Sequence, residues 1–558
     1  MRTKSGNLHL EVQTSRKNPV GLLRTSARDK VTGKIVHTQH GRITGVPLDQ
    51  LRILQLAFRG EVAPTGSPDV LRILSSREFG ASHALLQLAK DIGLHRALYS
   101  RSKPWVEAAL AMIIGRVIYQ GSKLSLCNQA ANTCLWELCG IKGQPDVEEH
   151  CYATLDRLLE RQPAIQKKLA AKHLQNGTLV LYDITSTYFE GEYTESDLVT
   201  FGYNRDKKKG YKQVVIGLLC NAQGCPVGCE VFKGNTNDAT TVAGKIDELR
   251  DSYDLQKIVF VGDRGMLTAA RRKDLKRIEG LATISALTHG ELADLIKRDL
   301  VQPELFDENN IVEISDPEKE GERYCLCRNP VTAESESATR RRLIALSEEG
   351  LAQIADYKQT TTVEILGARI GKLLAKYKMG KFIDWEVEAD RAAGSEKKSR
   401  GHQVKWRIDE EKVKREQDLD GCYIVRTDVP EEAMSTQEVV SGYKSLGDVE
   451  RAFRSLKTAH LEIRPVYHKT DERIKAHVFM CMLAYHLEWH MMQRLRPFFE
   501  KDGEGAQRRW TVKGVIARLA QIQSNRVTLQ GIEFDQTTEA DQEQKEILTL
   551  LNTAEPAA

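Results

Sequence analysis

The sequence predicts an α+β protein of several domains, and three observations lead to that prediction. At 558 residues the chain is too long for one ordinary hydrophobic core. Its 41% hydrophobic and 28% charged residues are typical of a globular protein rather than a disordered one. Short apolar runs typical of strands alternate with longer segments whose apolar residues have helical spacing.

Charge is distributed unevenly between the two ends of the chain. Residues 1–60 hold eleven Lys/Arg and three Asp/Glu, whereas from Glu533 on there are seven acids and one Lys. The basic arm is patchily strand-like and precedes a helix from about Leu48, and the apolar spacing of residues 76–173 is helical. Such an arm suits contact with DNA phosphates, although a solvated basic face explains it about as well. The acidic end is expected to be a solvated tail.

No secretory signal or membrane span is expected. The first ten residues are polar and basic. The longest apolar region, residues 474–492, is expected to be a core helix because it carries five ionisable side chains: Lys475, His477, His486, Glu488 and His490. Eleven cysteines without an obvious pairing pattern fit a reducing cytoplasm.

Three of the cysteines, Cys220, Cys225 and Cys229, lie close together in the sequence. They lack a CxxC pair and a fourth partner, and they fall on a predicted hairpin. Buried free thiols are therefore the favoured interpretation over a metal site.

Two short apolar runs each lead into an aspartate. Residues 179–181 precede Asp183, and the segment 257–266 contains a similar run that ends at Asp263. Aspartate is a poor strand former and is costly to bury without a partner. A single one is explained by a capped turn, but two in equivalent places indicate a divalent-metal site.

The elements around these acids occur in the order strand, hairpin, helix, strand, helix, strand. Residues 214–220 and 226–232 provide the hairpin, and a basic helix and a short strand follow Asp263. This order matches the ribonuclease H-like core, whose first and fourth strands are adjacent. That adjacency would bring Asp183 and Asp263 together.

A third acid is expected in the segment 441–457. Tyr443, Glu450 and Lys457 recur every seven residues, which places them on roughly one face of a helix. Taken alone, the segment is better interpreted as a surface helix in which Glu450 pairs with Arg454. The two aspartates make Glu450 the best candidate.

The chain resembles the DDE transposases of bacterial insertion sequences, in the group whose third acid lies in a Tyr–Arg–Glu–Lys pattern. Tyr443, Glu450 and Lys457 match that pattern in type and spacing, and Leu446 stands where the pattern has Arg. Also similar are YDITSTYF around Asp183, GNTND after the hairpin, DRGM at Asp263, and AFRSLK followed by LEIRPVYH. The resemblance covers about residues 177–286 and 441–485.

The resemblance implies a ribonuclease H-like catalytic core that is interrupted by an inserted, partly β subdomain and preceded by a helical N-terminal domain. The expected order is a basic arm and helix (1–70), a helical DNA-binding domain (71–175), the first part of the core (176–288), the insertion (289–435), the final core helices (436–500) and a helical, acidic tail (501–558).

The activity implied is metal-dependent DNA cleavage and strand transfer with two Mg²⁺ or Mn²⁺ ions. Asp183 would bridge both ions, Asp263 and Glu450 would each hold one, and Tyr443 and Lys457 would hold DNA phosphate beside them. The implied partners are insertion-sequence ends and target DNA, bound by a homodimer or larger assembly. Further DNA contacts are expected from Lys207, Lys208, Lys209, Arg264, Arg454 and Trp406.

Trp406 has two interpretations. Residues 404–408 alternate basic and apolar side chains, so a strand there would place Trp406 on an apolar face. Packing inside the insertion, with Lys405 and Arg407 facing solvent, is favoured. The alternative is that Trp406, or its rival Trp385, stacks on an unstacked DNA base.

Three classes of function remain open from the sequence. A transposase needs the three acids together with separate DNA-end binding. A simpler metal nuclease of the ribonuclease H or resolvase type would share the acids but lack the large insertion and the N-terminal domain. A non-catalytic DNA-binding relic would have lost an acid, and all three are present here. The first class is favoured.

Overall fold

A computed structural model of the protein describes residues 8–14, 19–28, 35–59, 71–205, 208, 210–298, 300, 301, 311–319, 321–356, 362–389, 402–501, 510–529 and 532–553. The chain divides into two compact units. The first comprises residues 1–91, 123–146 and 491–558, and the second comprises residues 92–122 and 147–490. Within the described part, no helix is both long and apolar enough to cross a membrane.

Helices and strands alternate along both units. The strands are β1 (Leu8–Gln13), β2 (Val20–Arg28), β3 (Ile35–Thr44), β4 (Leu71–Glu78), β5 (Leu179–Tyr188), β6 (Gln213–Asn221), β7 (Pro226–Lys233), β8 (Ile258–Val261), β9 (Leu281–Ala286), β10 (Ile311–Ser315), β11 (Arg323–Arg328), β12 (Ile383–Ala389), β13 (His402–Ile408), β14 (Cys422–Thr427), β15 (Gln523–Leu529) and β16 (Ile532–Thr537). The helices are α1 (Leu48–Phe58), α2 (Gly80–Asp91), α3 (Leu94–Leu98), α4 (Pro104–Tyr119), α5 (Lys123–Asn128), α6 (Leu135–Leu138), α7 (Ala153–His173), α8 (Asp238–Asp247), α9 (Ala269–Leu275), α10 (His289–Lys297), α11 (Pro330–Ala355), α12 (Val363–Tyr377), α13 (Glu410–Asp418), α14 (Thr436–Lys444), α15 (Leu446–Arg454), α16 (Asp471–Arg494), α17 (Arg496–Glu500), α18 (Val512–Leu519) and α19 (Gln542–Leu550).

The first unit contains two small antiparallel sheets. One has the order β1-β2-β3 and packs against α1 through buried Leu10, Val20 and Leu51. The other has the order β16-β15-β4 and joins the end of the chain to residues 71–78. Strands β4, β15 and β16 were not expected in the helical and tail segments. These strands are short. Because β4 and β15 pair although they are far apart in the sequence, the local spacing of apolar residues does not indicate the pairing.

The second unit is built on an eight-stranded mixed sheet with the order β10-β11-β14-β9-β8-β5-β6-β7. Strands β5, β8 and β9 are parallel, and the other neighbouring pairs are antiparallel. Every residue of β6 is buried, which explains its nearly unbroken apolar sequence. The expected hairpin is confirmed by the antiparallel pairing of β6 with β7.

Adjacency of β5 and β8 is also confirmed. Leu181 is paired with Val261, and this is the last pair between the two strands. Asp183 and Asp263 each follow two residues later. Because the strands are parallel and in this register, the two aspartates lie together just beyond the end of β8, where β5 continues paired with β6.

Part of the insertion belongs to the same sheet. Strands β10, β11 and β14 extend it beyond β9, whereas β12 and β13 form a separate hairpin that packs with α11 and α12. The helical spacing of residues 339–377 corresponds to parts of two helices, α11 and α12, and part of the segment between them lies outside the described residues. Strand β12 was not foreseen from the sequence.

Gly224 lies in the turn between β6 and β7 and contacts α15. Its φ of 79° is in the left-handed region, and a Cβ there would lie 2.5 Å from the Cβ of Asp448. Only glycine meets both conditions without strain. The hairpin turn can therefore pack directly on the helix that carries Glu450.

We expect Gly224→Ala to destabilise the protein by about 1–3 kcal/mol, because the side chain adds left-handed strain and a clash with α15. Gly244→Ala is the matched control. Gly244 lies inside α8 with open space at its Cβ position, so the same change should stabilise by about 0.5–1 kcal/mol. Thermal unfolding measures both variants. Equal or higher stability of Gly224→Ala would contradict the packing of the turn on α15.

Candidate active site

The middle of β5 positions the first acid. Asp183 is half-buried, and its Oδ1 accepts a hydrogen bond of 2.8 Å from the backbone N–H of Ile184. Thr185 lies two residues further along the strand and therefore on the same face as Asp183. This face of β5 is packed against α15.

A tight turn after β8 positions the second acid. The carbonyl of Asp263 accepts hydrogen bonds from the N–H groups of Met266 and Leu267 at 3.0 and 3.2 Å, and both of these side chains are buried. The Oδ1 of Asp263 accepts a 2.7 Å bond from the N–H of Arg264. The buried anchors leave the side chains of Asp263 and Arg264 exposed at the sheet edge.

Three consecutive helical pieces carry the third acid and its neighbours. Tyr443 lies in α14, Glu450 in α15 and Lys457 in a π-helical turn over Ser455–Ala459. The continuous helix expected from the sequence is therefore interrupted at Ser445, whose Oγ donates to the carbonyl of Ser441 at 3.0 Å. Such back-bonding, next to glycines of low helix propensity, explains the interruption.

Close packing of α14 on the sheet sets the position of Tyr443. A Cβ on the preceding Gly442 would lie 2.9 Å from Cδ1 of Leu179 in β5. The Tyr443 ring is half-buried, 6.4 Å from that of Tyr423. Leu446, at the place where the Tyr–Arg–Glu–Lys pattern has Arg, is buried.

The three acids and Tyr443 interact electrostatically. Burial raises the pKa of Asp183 to about 7, and the carboxylates of Asp263 and Glu450 add to this, whereas the Ile184 N–H and Arg205 oppose it. Burial also raises the pKa of Tyr443 to about 12, with further contributions from all three carboxylates. The structure thus brings Asp183, Asp263, Glu450 and Tyr443 into one cluster.

Lys457 reaches the same face of β5. Its Nζ donates a 3.2 Å hydrogen bond to Oγ1 of Thr185. The turn that carries it is held by Glu488 of α16, a carboxylate that is only 2% exposed. The Oγ of Ser455 donates to Glu488 at 2.9 Å, and Nδ1 of His460 lies 3.0 Å from the same carboxylate.

Two further residues belong to this region and were not among the site residues expected from the sequence. Arg205 lowers the pKa of Asp183, and its guanidinium pairs with the carboxylate of Asp238 at the start of α8. The backbone N–H of Arg205 donates to Oγ of Ser186 at 3.1 Å. Asp238 is the last residue of the GNTND motif, and this motif was the sequence feature that could have indicated its place near the acids.

The remaining predicted DNA contacts are distributed differently. Arg264 is exposed and close enough to Tyr443 to lower its pKa. Lys208 and Arg454 are also exposed. Lys207 and Lys209 lie outside the described residues. Trp406 is not brought to the acids by any described contact: it is half-buried against the hydrophobic cluster formed by α11, α12 and the β12–β13 hairpin, which favours the packing interpretation.

The other acids near α15 have different partners. Glu438 completes a capping box with Ser435 at the start of α14. Asp448 pairs with Arg451 and packs against the turn at Gly224. Glu450 is exposed and raises the pKa of Asp183. Among these candidates the geometry favours Glu450 as the third acid.

The donor set fits divalent cations of the hard class. The carboxylates of Asp263 and Glu450 raise the pKa of Asp183, so the three acids form a site of unneutralised negative charge, and carboxylate oxygens are the ligands that Mg²⁺ and Mn²⁺ prefer. Proton binding and metal binding would compete at Asp183.

Comparison with known proteins identifies a family. A family model described as a transposase DDE domain matches residues 178–487, which is more than half of the chain and includes all three acids. A search among curated proteins gave no match.

We expect Asp183→Asn to stabilise the protein at alkaline pH when divalent cations are removed by a chelator. Folding raises the pKa of Asp183 from 3.8 to about 7, so its contribution to stability is complete below about 3.8 and is lost progressively as the pH rises from there to about 7. The melting temperature of the variant should therefore exceed that of wild type by more near pH 8 than near pH 5.

The control is Asp251→Asn, which changes an exposed carboxylate outside the cluster. It should show no such dependence on pH. Melting temperatures at the two pH values measure the effect, and a constant offset between wild type and Asp183→Asn would contradict the electrostatic origin.

Proposed function

The chain belongs to the family of transposases that carry a DDE domain, and on that premise we propose that it cleaves DNA at the ends of a bacterial insertion sequence and joins the 3′-OH ends to target DNA. The observation that carries the proposal is the convergence of Asp183, Asp263 and Glu450 at one edge of the sheet. The family implies a metal-dependent reaction on DNA. That the reaction includes strand transfer, and that the DNA is a bacterial insertion sequence, are proposed in addition.

The catalytic core is proposed to be ribonuclease H-like. The order β7-β6-β5-β8-β9, with β5, β8 and β9 parallel and the β6–β7 hairpin antiparallel, supports this assignment. Residues 176–288 and 436–500 would form the core, and residues 289–435 would be the insertion. Strands β10, β11 and β14 support an insertion that is continuous with the core sheet rather than detached from it.

Asp183, Asp263 and Glu450 would hold two Mg²⁺ or Mn²⁺ ions. When bound, such ions would supply activation of the attacking water or 3′-OH and stabilisation of charge on the leaving oxygen. The protein's own part is to keep the three carboxylates on rigid elements. The turn after β8 and the packing of α14 and α15 on β5 support that role.

Cationic side chains beside the acids are suited to hold the DNA backbone. The hydrogen bond from Lys457 to Thr185, on the same face of β5 as Asp183, supports a role of this ammonium in holding a phosphate next to the acids. Arg264 is exposed directly after Asp263. Tyr443 stays protonated because its pKa is raised to about 12, so its hydroxyl can donate to phosphate oxygen. Lys208 and Arg454 are proposed to extend this surface.

Recognition of the DNA ends is proposed to involve the basic arm, with two or more copies of the chain in the DNA complex. Residues 1–60 have an excess of eight positive charges. Arg42 of β3, Arg52 of α1 and Arg59 are exposed cations among the described residues of this segment. Phosphate contacts of this kind give strong, salt-dependent binding.

We expect Asp183→Asn, Asp263→Asn and Glu450→Gln each to slow Mg²⁺-dependent cleavage of a DNA duplex carrying the element's end by on the order of a thousandfold or more, because each removes a metal ligand. DNA binding should remain within a few fold. Single-turnover cleavage and a gel-shift titration measure the two effects.

The matched controls are Glu438→Gln and Asp448→Asn, which make the same change on the same helices outside the cluster. They should cleave at close to the wild-type rate. Near-normal cleavage by Glu450→Gln, or loss of cleavage in Asp448→Asn without loss of folding, would show that the third acid is misassigned.

We expect the triple variant Arg42→Ala, Arg52→Ala, Arg59→Ala to bind end DNA more weakly and with a smaller salt dependence. Each lost phosphate contact should reduce the slope of log K against log salt by about 0.9. Fluorescence anisotropy at several salt concentrations measures the slope.

The control carries three alanines at exposed cations outside this segment: Arg157, Lys167 and Arg496. An unchanged slope in the first variant, or an equal change in both, would place end recognition elsewhere, with the insertion as the next candidate.

A further inference from the structure

A second group of metal-ligating side chains lies in the second unit, away from the three acids. His173 is the last residue of α7, Cys225 directly precedes β7, and His486 and His490 are one helical turn apart on α16. One ligand atom from each of the four side chains lies within 4.8 Å of the others. Cys225 and His486 are buried, and the other two are half-buried.

The separations within this Cys–His₃ cluster are close to those of a tetrahedral metal site. The ring centroids are 5.2 Å apart for His173 and His486, 5.3 Å for His173 and His490, and 4.7 Å for His486 and His490. The Sγ of Cys225 contacts the His486 ring, 3.6 Å from its Nδ1. Ligand atoms around a tetrahedral zinc ion are about 3.4–3.6 Å apart. The ligand atoms of this cluster lie within 4.8 Å of one another, so small side-chain rotations would bring them to that spacing.

The protonation of the imidazoles suits metal binding. Burial lowers the pKa of His173 to about 4 and that of His486 to about 3, so both rings are neutral and carry a lone pair. Nδ1 of His486 lies 2.9 Å from the carbonyl oxygen of Pro226. A carbonyl only accepts, so Nδ1 carries the proton and Nε2 is left as the ligand atom, which is the usual arrangement behind a metal-bound histidine.

One polar atom in the cluster lacks a protein partner. Nε2 of His173 is buried and makes no hydrogen bond among the described residues. A buried nitrogen without a partner is costly, and a metal ion would satisfy it. The Sγ of Cys225 is one of the ligand atoms that lie within 4.8 Å of one another in this cluster.

We propose that His173, Cys225, His486 and His490 bind one zinc ion, or a similar divalent transition metal, as a structural site separate from the catalytic acids. Nitrogen and sulfur donors select this class of metal over Mg²⁺. Binding forms the metal–sulfur bond as Cys225 releases its thiol proton to solvent, which balances the step. Four protein ligands leave no open position, so the ion holds structure rather than substrate.

The elements joined by this site lead directly to the catalytic acids. His173 ends α7, and the chain continues from there into β5 with Asp183. Cys225 follows the turn whose Gly224 packs on Asp448 of α15, the helix that also carries Glu450. The neighbouring Trp489 also ties α16 to this turn, since its Nε1 donates to the carbonyl of Gln223 at 3.3 Å. A metal ion here would fix the closing helix, the hairpin turn and the entry to β5 together.

The test uses the full-length protein, with Cys225→Ser compared to Cys229→Ser. Cys229 is an equally buried thiol on β7 outside the cluster, so it controls for loss of a core sulfur. Zinc content after purification is measured by mass spectrometry, and Co²⁺ added to metal-free protein is followed by its thiolate charge-transfer absorption. We expect one tightly bound ion and a thiolate–cobalt band in wild type and in Cys229→Ser. In Cys225→Ser the band should be absent and zinc binding weaker by about 100-fold or more.

Asp183→Asn distinguishes this site from the catalytic one, because it should keep the zinc ion while losing Mg²⁺-dependent cleavage. The Co²⁺ titration of the wild-type protein still tests the proposal if Cys225→Ser fails to fold. Wild type that holds no zinc and gives no thiolate–cobalt band would overturn the proposal and leave a metal-free cluster of neutral imidazoles. Loss of the ion in Asp183→Asn, or an equal loss in both cysteine variants, would overturn it too.

Discussion

The parallel pairing of β5 with β8 is the constraint on which the site depends. Leu181 is paired with Val261, and each aspartate follows two residues after that pair. A shift of register by one residue would turn one carboxylate to the opposite face of the sheet. The fully buried strand β6 holds β5 from the other side, so the apolar core determines where the two negative charges lie.

This arrangement works against stability when no cation is present. Burial and like charges raise the pKa of Asp183 to about 7, so the metal-free site at neutral pH is strained electrostatically. Packing elsewhere offsets that strain: Gly442 allows α14 to approach Leu179, and buried Glu488 holds the turn of Lys457 through Ser455 and His460. Residues outside the acid cluster therefore keep the carboxylates in a geometry that they would not adopt alone.

Local sequence signals predicted part of this structure well. The apolar runs before Asp183 and Asp263, and the hairpin between them, are visible in the sequence and form strands in the structure. The expectation that the first strand ends at Asp183 was wrong, because β5 continues through polar residues to Tyr188 while it pairs with β6. The interruption of the helix at Ser445 was not predicted from the sequence. Tyr443, Glu450 and Lys457 keep their seven-residue spacing whether the helix is continuous or interrupted, so the spacing does not reveal the break. Pairing of β14 with β9 and of β15 with β4 depends on partners distant in sequence, which periodicity cannot reveal. The role of Arg205 depends on its contact with Asp238, which only the fold brings about.

The cluster around Cys225 shows the same limit for metal sites. The spacing of Cys225 from its sequence neighbours, Cys220 and Cys229, does not match a known metal-binding motif. Both neighbours are buried free thiols in the structure, as the sequence predicted. The histidines near Cys225 come from the end of α7 and from α16, so no local motif could have indicated them. The two candidate metal sites differ in chemistry as well as in place. If both proposals hold, the oxygen ligands beside β8 would leave room for DNA and exchangeable Mg²⁺, whereas the nitrogen and sulfur ligands would favour a permanent ion. One part of the core would then keep its shape while the other part stays open to its substrate.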